Sequence, residues 1–148
     1  MSRAQMVMPR AAAGADTDRI DAIAARLRRY LENGVAPPHL FSDDVFCDFT
    51  FPLGRVQAQG LADTLALRRH GHPASGSVPR WRVDATAHGF VMEFEERWEQ
   101  GGQQWYCREM RRAYLRGDAI CALSVYCTGD WDEQRQASHR AGKTLLRP

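Results

Sequence analysis

Apolar residues recur at helical spacing from Ile20 through Ile23, Leu27 and Tyr30 to Leu31, a single stripe of 3.6-residue period. Asp16 stands where a helix cap belongs and Gly34 where a helix closes, so a helix over residues 16–33 is expected. Pro37-Pro38 breaks the chain, and a short helical turn is expected over residues 39–43. Residues 45–51, Val-Phe-Cys-Asp-Phe-Thr-Phe, read as a strand that Pro52 ends. Gly60 precedes a second helix over residues 61–69, and a loop rich in Gly, Pro and Ser follows over residues 71–79. Four strand patterns come next, over residues 81–85, 90–99, 104–115 and 119–128. Helices first and a meander of strands afterwards imply an α+β domain.

Register follows from the turns. A two-residue Gly101-Gly102 hairpin sets Gln100 opposite Gln103, Trp98 opposite Trp105, Arg97 opposite Tyr106 and Glu95 opposite Arg108. An aromatic pair and an opposite-charge pair support that alignment. A Gly117-Asp118 turn then sets Arg108 opposite Cys127 and Met110 opposite Val125. One face of the expected sheet carries Glu93, Glu95, Arg97, Tyr106, Arg108, Met110, Leu123, Val125 and Cys127. The other carries Phe90, Met92, Phe94, Trp98, Glu109, Ala122, Ser124 and Tyr126. Neither face is plainly polar, so both are expected to be covered, one by helices and one by a second copy of the chain.

Composition narrows the partners. A formal charge of +2 with 26% charged residues is too balanced for a nucleic-acid footprint. No stretch approaches the roughly 20 apolar residues of a membrane span. Residues 1–15 read as a flexible tail without the apolar centre of a signal peptide, and residues 16–148 as one domain. Cys47, Cys107, Cys121 and Cys127 lack metal-type spacing and fall in expected strands, which points to reduced thiols and a cytoplasmic protein.

The charged run Glu93-Phe94-Glu95-Glu96-Arg97 inside expected sheet is the first candidate for chemistry. If it faces inward, Glu95 and Arg108 form a charge-assisted pair. Glu93, opposite Met110, then lacks a cation and becomes a candidate general acid or base. If it faces outward, it is a solvated sheet surface. Tyr30 reads as core or as a ligand contact. Cys127 reads as an inert thiol or a nucleophile, and Asp130-Trp131 as a pocket closure or a cap on the sheet. His70-Gly71-His72 sits in a loop without metal-ligand spacing.

Three segments carry a family resemblance. Leu40-Phe41-Ser42-Asp43-Asp44-Val45 through Pro52-Leu53-Gly54, the hairpin around Gly101 with the span 112–125 and its Gly117-Asp118-Ala119-Ile120 turn, and the closing Tyr126-Cys127-Thr128-Gly129-Asp130-Trp131-Asp132 resemble nuclear transport factor 2-like proteins, and among them the SnoaL-like and ketosteroid-isomerase-like groups. The resemblance implies a cone-shaped, curved antiparallel sheet wrapped around N-terminal helices, with an apolar ligand in the cone. It implies cyclases, isomerases, dehydratases, epoxide hydrolases or non-catalytic binding proteins. The chain departs from those groups where they carry acids or histidines: it has Phe51, Met110 and Val125 there. What the resemblance does imply is that the Glu93, Glu95, Arg97 face looks into the pocket. The expectation is therefore a cofactor-independent acid–base enzyme acting on a hydrophobic small molecule as a homodimer, without nucleic acid, membrane or metal. Glu93, Glu95 and Arg108 are its expected catalytic residues. Tyr30, Phe51, Arg97, Tyr106, Met110, Cys127 and Trp131 are its expected substrate contacts. A non-catalytic binding or accessory protein is the alternative.

Overall fold

The computed structural model describes residues 13–147. Most of the expected tail, residues 1–12, lies outside the described residues. Helix α1 (Ala13–Asn33) is followed by a hairpin of β1 (Phe41–Phe51) and β2 (Gly54–Gln59), then α2 (Leu61–Gly71). Strands β3 (Gly76–Thr86), β4 (Gly89–Gln100), β5 (Gln103–Arg116) and β6 (Ala119–Cys127) form a meander, and α3 (Glu133–Gly142) closes the chain. The six strands make one open sheet in the order β2-β1-β6-β5-β4-β3. All neighbours are antiparallel except β1 and β6. The class is α+β, as expected.

Several local expectations change. Residues 39–43 are not helical: a tight turn leads straight into β1, and His39 takes a positive φ of 65°. The expected loop over residues 71–79 gives way to strand from Gly76, because β3 needs that length to pair with Trp98 and Arg97 of β4. Strand β2 and helix α3 were not foreseen. Asp132 caps α3 by accepting a hydrogen bond from the Arg135 amide at 2.8 Å, a Ser/Thr/Asp-type start that the sequence does carry.

The Gly101-Gly102 hairpin forms in the expected register. Both glycines have positive φ, 59° and 76°, which a two-residue turn of this hand requires. The next hairpin differs. Its turn pairs Arg116 with Ala119 and Leu115 with Ile120, but Tyr114 then pairs with Ala122, leaving Cys121 as an extra residue. Cys121 donates its thiol to the Tyr114 carbonyl at 3.4 Å. Beyond this bulge Glu109 faces Cys127, Met110 faces Tyr126 and Arg111 faces Val125. A one-residue slip turns every later side chain to the other face.

The slip resolves the two mixed faces. Phe90, Met92, Phe94, Ala113, Leu123 and Val125 now share one face, and each is at most 2% exposed beneath the helices. The expected face that carries Phe94, Trp98 and Tyr126 together, the one left for a second copy once the Glu93 face looks into the pocket, does not exist as one surface. Phe94 and Trp98 are buried within the chain, while Tyr126, at 63% exposed, is on the other side of the sheet.

The bulge generates a stability prediction. Deleting Cys121 removes the slip and sends Leu123 and Val125 outward. Losing their burial is expected to cost about 3–6 kcal/mol, a large share of a typical domain's stability of about 5–15 kcal/mol. Cys121→Ser keeps the residue count and should lower the melting temperature by only a few degrees, roughly 1 kcal/mol of stability. Thermal melts of both variants check this, and a deletion variant as stable as the wild type refutes the role given to the bulge.

Candidate functional site

Between the helices and the inner face of the sheet lies a cavity of about 560 Å³, within the range usual for small-molecule sites. Its walls are largely apolar. Phe41, Phe49 and Phe51 of β1, Val56 of β2, Leu67 of α2 and Leu123 and Val125 of β6 line it. Pro52 and the fully exposed Leu53 of the first hairpin lie at its edge. Its polar lining includes Tyr30, Thr64, Arg68, His70, His72, Arg111, Cys127, Asp130 and Arg135.

The alternation of β4 explains the polar end. Phe94, Glu96 and Trp98 point inward, and Glu93, Glu95 and Arg97 point outward. On β5, Cys107, Glu109 and Arg111 point inward. Two buried ion pairs result. Arg68 of α2 holds Glu96 at 2.5 Å and also donates to the Leu31 carbonyl at 2.9 Å. Arg111 binds Glu109 Oε2 through Nε at 2.9 Å and Nη2 at 2.8 Å. The side chains of Arg111 and Glu109 are 6% and 0% exposed. Burial disfavours the charged form of Glu96, but the charge and hydrogen bonds of Arg68 outweigh it and hold this carboxyl below its ordinary range. Between the two pairs sits the Cys107 thiol, 3.5 Å from Glu96 Oε2 and 3.9 Å from Glu109 Oε1. A hydrogen bond with Cys127, burial and the two carboxylate charges push its pKa far up, so it stays a thiol.

His72 caps the end of α2. Its ring packs edge-on against Trp98, with centroids 4.4 Å apart, and its Nε2 stands 3.2 Å from Asp130 Oδ1. A histidine on a cavity wall with a carboxylate behind it is a typical proton-transfer arrangement. Arg111, on the wall of the same cavity, donates to Glu109 through Nε and Nη2. Burial raises the pKa of Tyr30, so its phenol remains a neutral donor. Thr64 Oγ1 is buried without a partner. One ligand atom each of His72, Glu96, Cys107 and Glu109 lies within 4.8 Å of the others, so this is also the place where a metal ion could be held.

The expected catalytic residues are elsewhere. Glu93, Glu95 and Arg108 are on the outer face, away from the cavity, because the inward parity of β4 belongs to Phe94 and its neighbours. Arg108 pairs with Glu93 at 2.9 Å, with side chains 54% and 43% exposed. Glu95 faces Arg108 in register but accepts from the Tyr106 hydroxyl at 3.1 Å. Burial and the Glu95 charge push the Tyr106 pKa up to about 12. Arg97 lies over the Tyr106 ring at 4.7 Å and reaches Gln136 of α3 at 3.4 Å. Trp131 pairs with Tyr106 through two backbone hydrogen bonds of 3.0 and 2.7 Å. Met110 is exposed on the same side. Arg97, Tyr106, Met110 and Trp131 therefore do not line the cavity, whereas Tyr30, Phe51 and Cys127 do.

Sequence reasoning missed Arg68, Glu96, Glu109 and Arg111 as site residues; it read His72 only as a loop histidine and Asp130 only as a pocket closure or a cap on the sheet. Glu96 was legible: it shares parity with Phe90, Met92, Phe94 and Trp98. Glu109 and Arg111 needed the bulge, and Arg68, His72 and Asp130 needed the packing of α2 against the sheet.

Comparison with solved structures gives the fold. An NTF2-like protein from Anabaena variabilis superposes with a TM-score of 0.63 at 17% identity, over 84% of this chain and 97% of that one. A candidate polyketide cyclase from Xanthomonas campestris gives a TM-score of 0.63 at 14% identity, over 83% and 97%. An LEH-like epoxide hydrolase from M. tuberculosis gives 0.59 at 14%, over 74% and 83%. No family model and no curated protein sequence matches the chain. The fold is the nuclear transport factor 2-like α+β fold.

The buried pairs predict a specific pattern of stability. Arg111→Met leaves Glu109 charged and unpaired and is expected to cost about 3–5 kcal/mol. Replacing both, as Arg111→Met with Glu109→Leu, should restore most of that loss, because the apolar pair has no charge to desolvate. Denaturant unfolding of the single and double variants checks this. A double variant no more stable than the single one contradicts the account.

Proposed function

We propose that this protein is a small enzyme that moves protons on a hydrophobic, carbonyl-bearing small molecule bound in the cavity, giving isomerisation, cyclisation or dehydration. The observation that carries the reading is His72, its Nε2 3.2 Å from Asp130 Oδ1, on the wall of a largely apolar cavity that Arg111 and Tyr30 also line. In this scheme His72 takes a proton from the carbon beside the carbonyl. Arg111 Nη1 and the Tyr30 hydroxyl receive the developing enolate oxygen. Returning the proton to another carbon completes an isomerisation. Attack of the enolate carbon on a second carbonyl forms a ring, and loss of a β-hydroxyl with that proton gives a dehydration. Asp130 orients the imidazole and stabilises its charged form. The cyclase and epoxide hydrolase neighbours support the reading at the level of fold.

A second reading is a binding protein without catalysis. It is favoured by the pairing of Arg68 with Glu96 and of Arg111 with Glu109, which commits most of the charged groups at the polar end to each other. The homodimer expected from the sequence is kept as part of the proposal, its contact moved to the outer face where Met110 and Tyr126 are exposed. Sedimentation at micromolar concentration is expected to give twice the mass of the chain, and a monomer there removes this part.

The test needs no knowledge of the natural product. A panel of hydrophobic enolisable ketones is incubated with the protein in D2O, and α-deuterium exchange is followed by NMR. Exchange is expected with the wild type and a loss of about a hundred- to ten-thousand-fold with His72→Gln. Asp130→Asn should lower the rate less, and both variants should melt within a few degrees of the wild type. Wild-type exchange rates in His72→Gln rule out the assigned base. Ketone binding without exchange in the wild type favours the binding protein.

A further inference from the structure

We propose that His72, Glu96, Cys107 and Glu109 form a site for a zinc-type divalent ion, and that an ion bound there switches off proton transfer by His72. Three of the four residues are neighbours on the inner face of the sheet. Glu96 pairs with Cys107 across β4 and β5, and Glu109 follows two residues on. His72 reaches them from the end of α2, its ring set against Trp98. The four ligand atoms lie within 4.8 Å of one another. Zinc bonds of about 2.0–2.3 Å put adjacent corners of a tetrahedron roughly 3.3–3.7 Å apart. The 3.5 and 3.9 Å separations of Cys107 Sγ from Glu96 Oε2 and Glu109 Oε1 are close to such edges.

The surrounding groups are those that support metal ligands. Arg111 holds Glu109 by Oε2 alone, which leaves Oε1 turned to the sulfur. Arg68 holds Glu96 most closely by Oε1, at 2.5 Å, against 3.2 Å to Oε2. Asp130 takes Nε2 of His72 and leaves the other ring nitrogen for an ion, the carboxylate–histidine support common at such sites. The charges also balance. Two guanidiniums and a dication offset the carboxylates of Glu96, Glu109 and Asp130 and one thiolate. On binding, the Cys107 proton leaves to solvent and sulfur becomes a ligand. Thiolate and imidazole select a zinc-type ion over magnesium or calcium. An imidazole nitrogen that ligates an ion cannot accept a substrate proton. This second half rests on the proton-transfer reading above, while the metal site does not.

The experiment uses the full chain, stripped with a chelator and titrated with Co²⁺. One Co²⁺ per chain is expected, with a thiolate-to-cobalt charge-transfer band in the near ultraviolet that Zn²⁺ abolishes by displacement. Cys107→Ser should lose the band. His72→Gln should keep it but bind Co²⁺ at least about tenfold more weakly, and it reads the site even if Cys107→Ser fails to fold. No band in the wild type, or a band surviving in Cys107→Ser, overturns the site. Loss of the band in Cys127→Ser moves the sulfur ligand to Cys127 and overturns the four-residue assignment. One equivalent of Zn²⁺ should also stop deuterium exchange, and chelator should restore it. Exchange unaffected by bound Zn²⁺ overturns the switch but not the site. Absence of exchange in the metal-free wild type overturns the switch together with the proton-transfer reading, and absorbance then decides the site alone.

Discussion

Strands β4 and β6 each carry a clear apolar set, but a continuous hairpin register would put those sets on opposite sides of the sheet. One extra residue in β6, Cys121, removes the conflict. It brings Leu123, Val125 and Cys127 onto the face that already holds Phe94, Glu109 and Arg111. Without it the helices would have half an apolar surface to cover, and the other half would face water. The cavity depends on the same constraint, because Val125 and Cys127 form its wall beside Arg111.

Once that face is closed under α1 and α2, four charged side chains are trapped with it. They are tolerated because each guanidinium meets a carboxylate at hydrogen-bond distance. The pairing makes these groups poor free acids or bases, since each charge is held by its partner. It leaves His72, whose Asp130 partner is partly exposed, as the candidate for the proposed proton transfer. It also explains why the thiol between the pairs is inert as a nucleophile, with negative charge on two sides and little solvent. The outer face is built differently. Its charges pair near water, Arg108 with Glu93, and there α3 and Trp131 pack on Tyr106. Exposed pairs of this kind contribute little to stability.

Periodicity and turn chemistry alone determined the class of the fold, the first two helices, the meander and the β4–β5 register, because each depends on residues close in sequence. Apolar spacing in α1 and the Gly101-Gly102 turn are local signals, and the structure keeps them. The inward orientation of Glu96 was equally local and follows from its alternation with Phe94 and Trp98. The bulge was not legible. Cys121 is an ordinary strand residue, and only the competition between two strands for one covered face shows that a residue must be left out of the ladder. The charged face expected to line a pocket therefore lies outside. Tertiary structure alone decided the partners of Arg68, His72 and Asp130, because they come from a helix, its last turn and a loop beyond β6, and meet only where α2 settles on the sheet.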